Sequence, residues 1–145
     1  MRTAALLFCL SGLPAAALSV EAWQVDAVIR IESAGRPSAI GDNGAARGLA
    51  QFHQAAWLDC SRVRAARGLP TYPYSQAFDP AAARAYLTTW LAYLGDRFAR
   101  ATGRRPTTAD LYAMHNLGFS GYAKRGFDIS RCPGITIRKT ASLTR

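Results

Sequence analysis

The chain has 145 residues, half of them apolar or aromatic, which is room for one compact domain with a real core. Its formal charge is +9, but the lysines and arginines are spread along the chain and no nucleic-acid motif accompanies them, which argues against a nucleic-acid-binding protein. Such a balance suits an anionic polymer or surface as partner, or simply solvated helix faces in an arginine-rich sequence.

Arg2, the apolar run from Ala4 to Leu13, Pro14 and the small residues Ala15 to Ala17 have the shape of a secretory leader, expected over residues 1–19. The mature chain is expected to begin near Leu18 or Val20. A membrane anchor is the other reading, but the run is shorter than the roughly 20 apolar residues that span a bilayer, and no later segment qualifies. The expected location is therefore periplasmic or secreted, as a monomer without stable membrane insertion. Phe8 before Cys9 is too bulky for a lipid-attachment site. Loss of the leader leaves Cys60 and Cys132, and a bridge between them that ties the tail to the second helix is expected, two separate buried thiols being the other reading.

Val25, Val28, Ile29 and Glu32 fall three or four apart, which predicts a helix from Val20 to Ala34 with Gly35 at its C-terminal cap. Gly41 to Gly48, rich in turn formers, predicts a loop with at most a minor ribbon. The segment from Leu49 is expected to become helical up to about Ala66, where Gly68 and Pro70 stop it. Thr71 to Ala77 reads as a connecting loop that lays its aromatics on the core. Asp79 and Pro80 then open a helix as N-cap and first-turn proline. Within it Ala83, Tyr86, Leu87, Trp90, Leu91, Leu94 and Phe98 form a stripe that reads as core, ending before Gly103. Thr107 and Asp110 resemble a capping box for a short helix to about Leu117. Residues 20–128 thus predict a small all-α domain, and residues 129–145 a tail with a short helix or none and a frayed end.

Glu32 shares a helical face with apolar residues, near the negative end of its helix, an environment that favours holding a proton. That is what a general acid requires. An ion pair with Arg36 or Arg47 that only fastens the helix end is the other reading. No cluster of His, Cys and acidic residues has metal-ligand spacing, and no cofactor is implied.

Four blocks bear on this choice: Glu32-Ser33 with Pro37 and Ala39; Gly48-Leu49-Ala50-Gln51; Phe78-Asp79-Pro80 with Tyr86-Leu87; and Ala113-Met114-His115-Asn116-Leu117-Gly118. In this order, over about residues 31–122, they resemble the motifs of the soluble lytic transglycosylase family within the lysozyme superfamily. The resemblance implies a lysozyme-like helical fold acting on the glycan strands of peptidoglycan. It implies that Glu32 is the catalytic acid and base, and that Ser33, Gln51 and Asn116 belong to the substrate groove.

Two departures accompany it. His115 stands where the family has a tyrosine: it either partners Glu32 or is merely surface-exposed, and Tyr122 is a further candidate to supply the phenol. The run Gly41-Asp42-x-Gly44-x-x-x-Gly48-Leu49-x-Gln51 is similar instead to a loop of goose-type lysozymes, in which the aspartate positions the attacking water. A transglycosylase needs one carboxyl, because the C6 hydroxyl of the sugar attacks and leaves a 1,6-anhydro product. A hydrolase needs a second carboxylate across a water, for which Asp42 is the candidate, although an Asp-Asn-Gly turn can also use that side chain on its own backbone. The later blocks favour the anhydro reaction. Hydrolysis and a non-catalytic cationic wall-binding protein are the alternatives. Of the aromatic residues, Phe119 and Tyr122 are the ones expected at the cleft.

Overall fold

The computed structural model describes residues 18–143, so the expected leader, with Cys9, lies outside the described residues apart from Leu18 and Ser19. Six α-helices and one two-stranded ribbon form among the described residues, the small all-α domain that the periodicities predict. None of these helices is long and apolar enough to cross a membrane.

Helix α1 spans Ala22–Ser33. Gln24 Oε1 accepts from the Glu21 amide at 3.0 Å to fix its start. At its end the left-handed turn comes one residue earlier than expected, at Ala34 with φ 53°, followed by Gly35. Strands β1 (Ile40–Gly41) and β2 (Ala46–Arg47) pair antiparallel around a 3₁₀ turn at Asp42–Gly44, the minor ribbon anticipated there.

Helix α2 begins only at Gln54 and runs to Ala66. Residues 49–53 are not helical as expected, because Gln51 takes φ 49° and Phe52 folds back to exchange backbone hydrogen bonds with Arg47. One face of α2 buries Trp57, Cys60 and Arg64. Trp57 stacks on Tyr86 with ring centroids 3.7 Å apart and donates from Nε1 to the Tyr72 carbonyl at 2.9 Å. These contacts fasten the 67–79 connection to the core. Tyr74, on that connection, donates to the Phe52 carbonyl at 2.7 Å and faces the Ala45 carbonyl at 2.8 Å, which pins the ribbon and the Gln51 turn.

Helix α3 (Pro80–Thr102) starts where Asp79 accepts from the Ala82 amide at 2.7 Å and ends at Gly103 with φ 71°. It is the central helix, packed on α1, α2 and α4 (Thr108–Leu117). Its Tyr86, Leu87, Leu91, Leu94 and Phe98 are at most 1% exposed. Complete burial of such side chains contributes about 1.5–3 kcal/mol each. Trp90 is the exception in the expected stripe: it is only half-buried and lines a groove. At Gly95, which has an ordinary φ, a Cβ would sit 2.2 Å from Leu18 Cδ2 and 3.2 Å from Leu111 Cδ2, so a larger residue there would displace the Leu18 side chain.

Two expectations need correction. Of the readings left open for the tail the short helix is the one that forms, and it reaches into the stretch expected to fray: after a short helix α5 (Phe119–Ala123), residues 134–141 form α6 (Gly134–Ala141), packed on α4. The hydrophobic pattern concealed it, because α6 buries Thr136 and Thr140 while Ile135 and Ile137 face solvent. Cys60 and Cys132 are both buried and unbonded. Cys60 Sγ donates to the Tyr86 carbonyl at 3.4 Å. Cys132 Sγ donates to the Asp128 carbonyl at 3.5 Å, so each thiol has a carbonyl of its own and neither reaches the other.

Candidate active site

The end of α1, the β1–β2 ribbon, the start of α2, the end of α4 and α6 meet around one cavity of about 280 Å³. Glu32 lies at its inner end. The buried Val25, Val28 and Ile29 carry the same face of α1 into the core, so Glu32 is drawn in with them and its side chain is only 9% exposed. Neither Arg36 nor Arg47 pairs with it. Arg36 donates to the Ser33 carbonyl, and Arg47 stacks over Tyr74 at 4.7 Å. The cation beside Glu32 is Lys139 of α6, with Nζ 3.7 Å from Oε1.

Among the described residues three buried side-chain polar atoms have no hydrogen-bond partner: Glu32 Oε1, the Tyr112 hydroxyl and His115 Nδ1. They belong to one place. Burial, and then the adjacent Glu32 carboxylate, push the Tyr112 phenol far above its usual value. His115 faces the same carboxylate; burial holds its imidazole below the ordinary histidine range, and Glu32 only partly offsets this. His115 Nε2 lies 2.8 Å from the Ala50 carbonyl, which can only accept, so Nε2 carries the proton and neutral Nδ1 is an acceptor. A carboxyl, a phenol and an imidazole nitrogen thus face one another, the phenol near enough to Glu32 for a hydrogen bond to its carboxylate to contribute to that rise.

Asp42 and Gly41 line the same cavity. The Asp42 carboxylate is 69% exposed and does not turn back on its own backbone, as an Asp-Asn-Gly turn allows. It reaches His53 at the start of α2, 2.7 Å from Nε2. Gln51 lines the cavity through a committed amide: Nε2 donates to the Ala39 and Gly48 carbonyls at 3.1 and 2.9 Å, leaving Oε1 as an acceptor. That oxygen lies over Gly41, where a Cβ would come within 2.3 Å of it, so the glycine is required by this approach. Asn116 also lines the cavity, its Oδ1 accepting from Thr136 Oγ1 of α6 at 2.9 Å.

Glu32, Asp42, Gln51, His115 and Asn116 are therefore brought together as anticipated, and two candidates are not. Ser33 is buried and donates to the Ile29 carbonyl of its own helix at 3.2 Å. Tyr122 is fully buried on the far side of α4, donating to Asp110 Oδ1 at 2.7 Å. The phenol beside Glu32 is Tyr112, three residues before His115 on the same helix face, a spacing from which it could have been read. Lys139 offered no such signal, because its helix was hidden by its threonines. Phe119 and Trp90 line hollows that continue from this cavity. Among the described residues no group of three or more His, Cys, Asp or Glu is placed to hold a metal ion. No protein-family model matches the chain, and no curated protein or solved structure is matched by it.

Proposed function

We propose that the chain is a peptidoglycan glycosidase in which Glu32 is the general acid, protonating the oxygen that joins N-acetylmuramic acid to N-acetylglucosamine. The observation that carries this reading is the state of Glu32: a carboxyl only 9% exposed, with a phenol, an imidazole and a lysine around it, on the lining of an open cavity. A buried carboxyl opening on a cavity, and not closed off by a bidentate arginine, keeps a lone pair or a proton for a ligand.

For the reaction itself, one reading is hydrolysis, supported by Asp42, which brings a second, solvent-accessible carboxylate to the lining of the cavity that Glu32 shares. Water attacks the anomeric carbon, Asp42 takes its proton, and Glu32 gives its own to the departing sugar oxygen. The lytic transglycosylase reaction is the second reading. It is favoured by the order of the four motif blocks and by the Tyr112 phenol beside the acid. There Glu32 first protonates the leaving oxygen and then, as carboxylate, takes the proton of the attacking C6 hydroxyl. The leader reading would deliver the enzyme to the cell wall, its substrate.

Mass analysis of soluble products from purified peptidoglycan tests both. Hydrolysis yields reducing ends; the transglycosylase yields 1,6-anhydro ends, lighter by one water. Glu32→Gln is expected to abolish cleavage with folding intact, since the amide keeps the shape and has no proton to give. Undiminished cleavage by that variant would make Glu32 structural. Wall binding without any cleavage by the wild type would leave a binding protein.

A further inference from the structure

Beyond His115 the cavity continues along the molecule. A hollow of about 180 Å³ shares Gln51, His53, His115 and Asn116 with it. A further hollow of about 290 Å³ shares Ala56, Trp90 and Gly118 with that one, so the three make a single groove. One wall is α3, where Trp90, Leu94 and Arg97, spaced by four and three residues, share a face. The turn at Gly118–Gly121, with Phe119, forms the other.

Arg97 is held in this groove by rings. Its guanidinium lies 3.9 Å from the Phe119 centroid and 5.7 Å from that of Tyr93. Phe119 is braced edge-on against Phe127 at 5.4 Å. Among the described residues no carboxylate pairs with Arg97, and Asp59, the acid of this hollow, is engaged by Arg62. Stacking occupies the face of a guanidinium and leaves its edge N–H donors free, the geometry that suits a carboxylate. Trp90 lies about 10 Å back along the helix toward Glu32, with an aromatic face suited to a sugar ring.

We propose that Arg97 is a carboxylate-recognition site in the substrate groove, reading an acidic substituent of the glycan strand. This rests on the glycosidase reading and adds a substrate preference: strands bearing lactyl or peptide carboxylates over neutral ones. Arg97 stands away from Glu32, so its contribution falls on binding and not on turnover.

The test uses peptidoglycan with free carboxylates and the same polymer after their conversion to neutral amides with carbodiimide and ethanolamine. The wild type should need about tenfold more of the blocked polymer for half-saturation, the scale of one charge-assisted hydrogen bond in partial solvent, with kcat unchanged. Arg97→Gln should need about tenfold more of the free polymer and lose the distinction, while Arg97→Lys keeps part of it. A wild type that treats both polymers alike overturns the proposal without any variant. So does an Arg97→Gln enzyme that still discriminates, or one weakened equally on both. Co-sedimentation of Glu32→Gln with the two polymers reads the same preference as binding. Absence of cleavage would therefore remove the glycosidase reading while the role of Arg97 is still decided.

Discussion

Lys139 Nζ stands 3.7 Å from Glu32 Oε1, so α6, the last of the described helices, supplies the cation at the candidate acid. The same helix bonds Asn116 through Thr136.

Ending the chain after Arg131 should therefore cost most of the cleavage activity and lower the unfolding midpoint by more than about 5 °C. It uncovers α4 and leaves Glu32 without its cation. A truncated protein with wild-type cleavage and midpoint would mean that α6 contributes nothing to the site.

The two buried phenols of this region should separate cleanly. Tyr112→Phe keeps the ring and removes a hydroxyl whose neighbour is the Glu32 carboxylate, so stability should hold while cleavage falls roughly tenfold or more. Tyr122→Phe takes a donor from Asp110 and should cost about 1–2 kcal/mol of stability with cleavage retained. Urea unfolding and wall-cleavage rates on both variants check this, and a reversed pattern would return Tyr122 to the site.

Asp42→Asn divides the two reactions. If Asp42 activates water, the variant should lose about 10²- to 10⁴-fold in rate. Near-complete retention of activity, with anhydro products, would assign the reaction to the transglycosylase.

Acid should weaken the fold through Asp110. Burial alone would raise its carboxyl, but hydrogen bonds from Arg104, Thr107 and Tyr122 outweigh this and hold it below the usual 3.8. The unfolded chain then binds the proton first as pH falls. The contribution is complete above the unfolded value and lost as pH drops through the folded one. Asp110→Asn should flatten this acid limb below about pH 4 and cost on the order of 2 kcal/mol at neutral pH. Unfolding midpoints measured from pH 2 to 7 decide it; an unchanged acid limb would place its origin elsewhere.

What could be read from sequence follows from where apolar residues point. Helix α3 was legible because its stripe, its Asp79-Pro80 start and its Gly103 end all agree. Helix α6 was not, because its threonines face inward and its isoleucines outward. Glu32, Asp42 and Gln51 could be picked out by motif, but their partners could not. The commitment of Gln51 to two carbonyls, the reach of Asp42 to His53 and the approach of Lys139 join segments far apart in the chain. Trp90 was misassigned for a simpler reason: a helical stripe does not show which of its members lies at the edge of the core.

The separated thiols have a practical side. With Cys60 and Cys132 unbonded, the described fold requires no oxidant and should form in a reducing cytoplasm. Burial pushes the Cys60 thiol up to about 12, so it has almost no thiolate at neutral pH and resists alkylation while α2 remains on α3. Its labelling rate then becomes an internal gauge of how often those two helices part, readable without adding any probe to the chain.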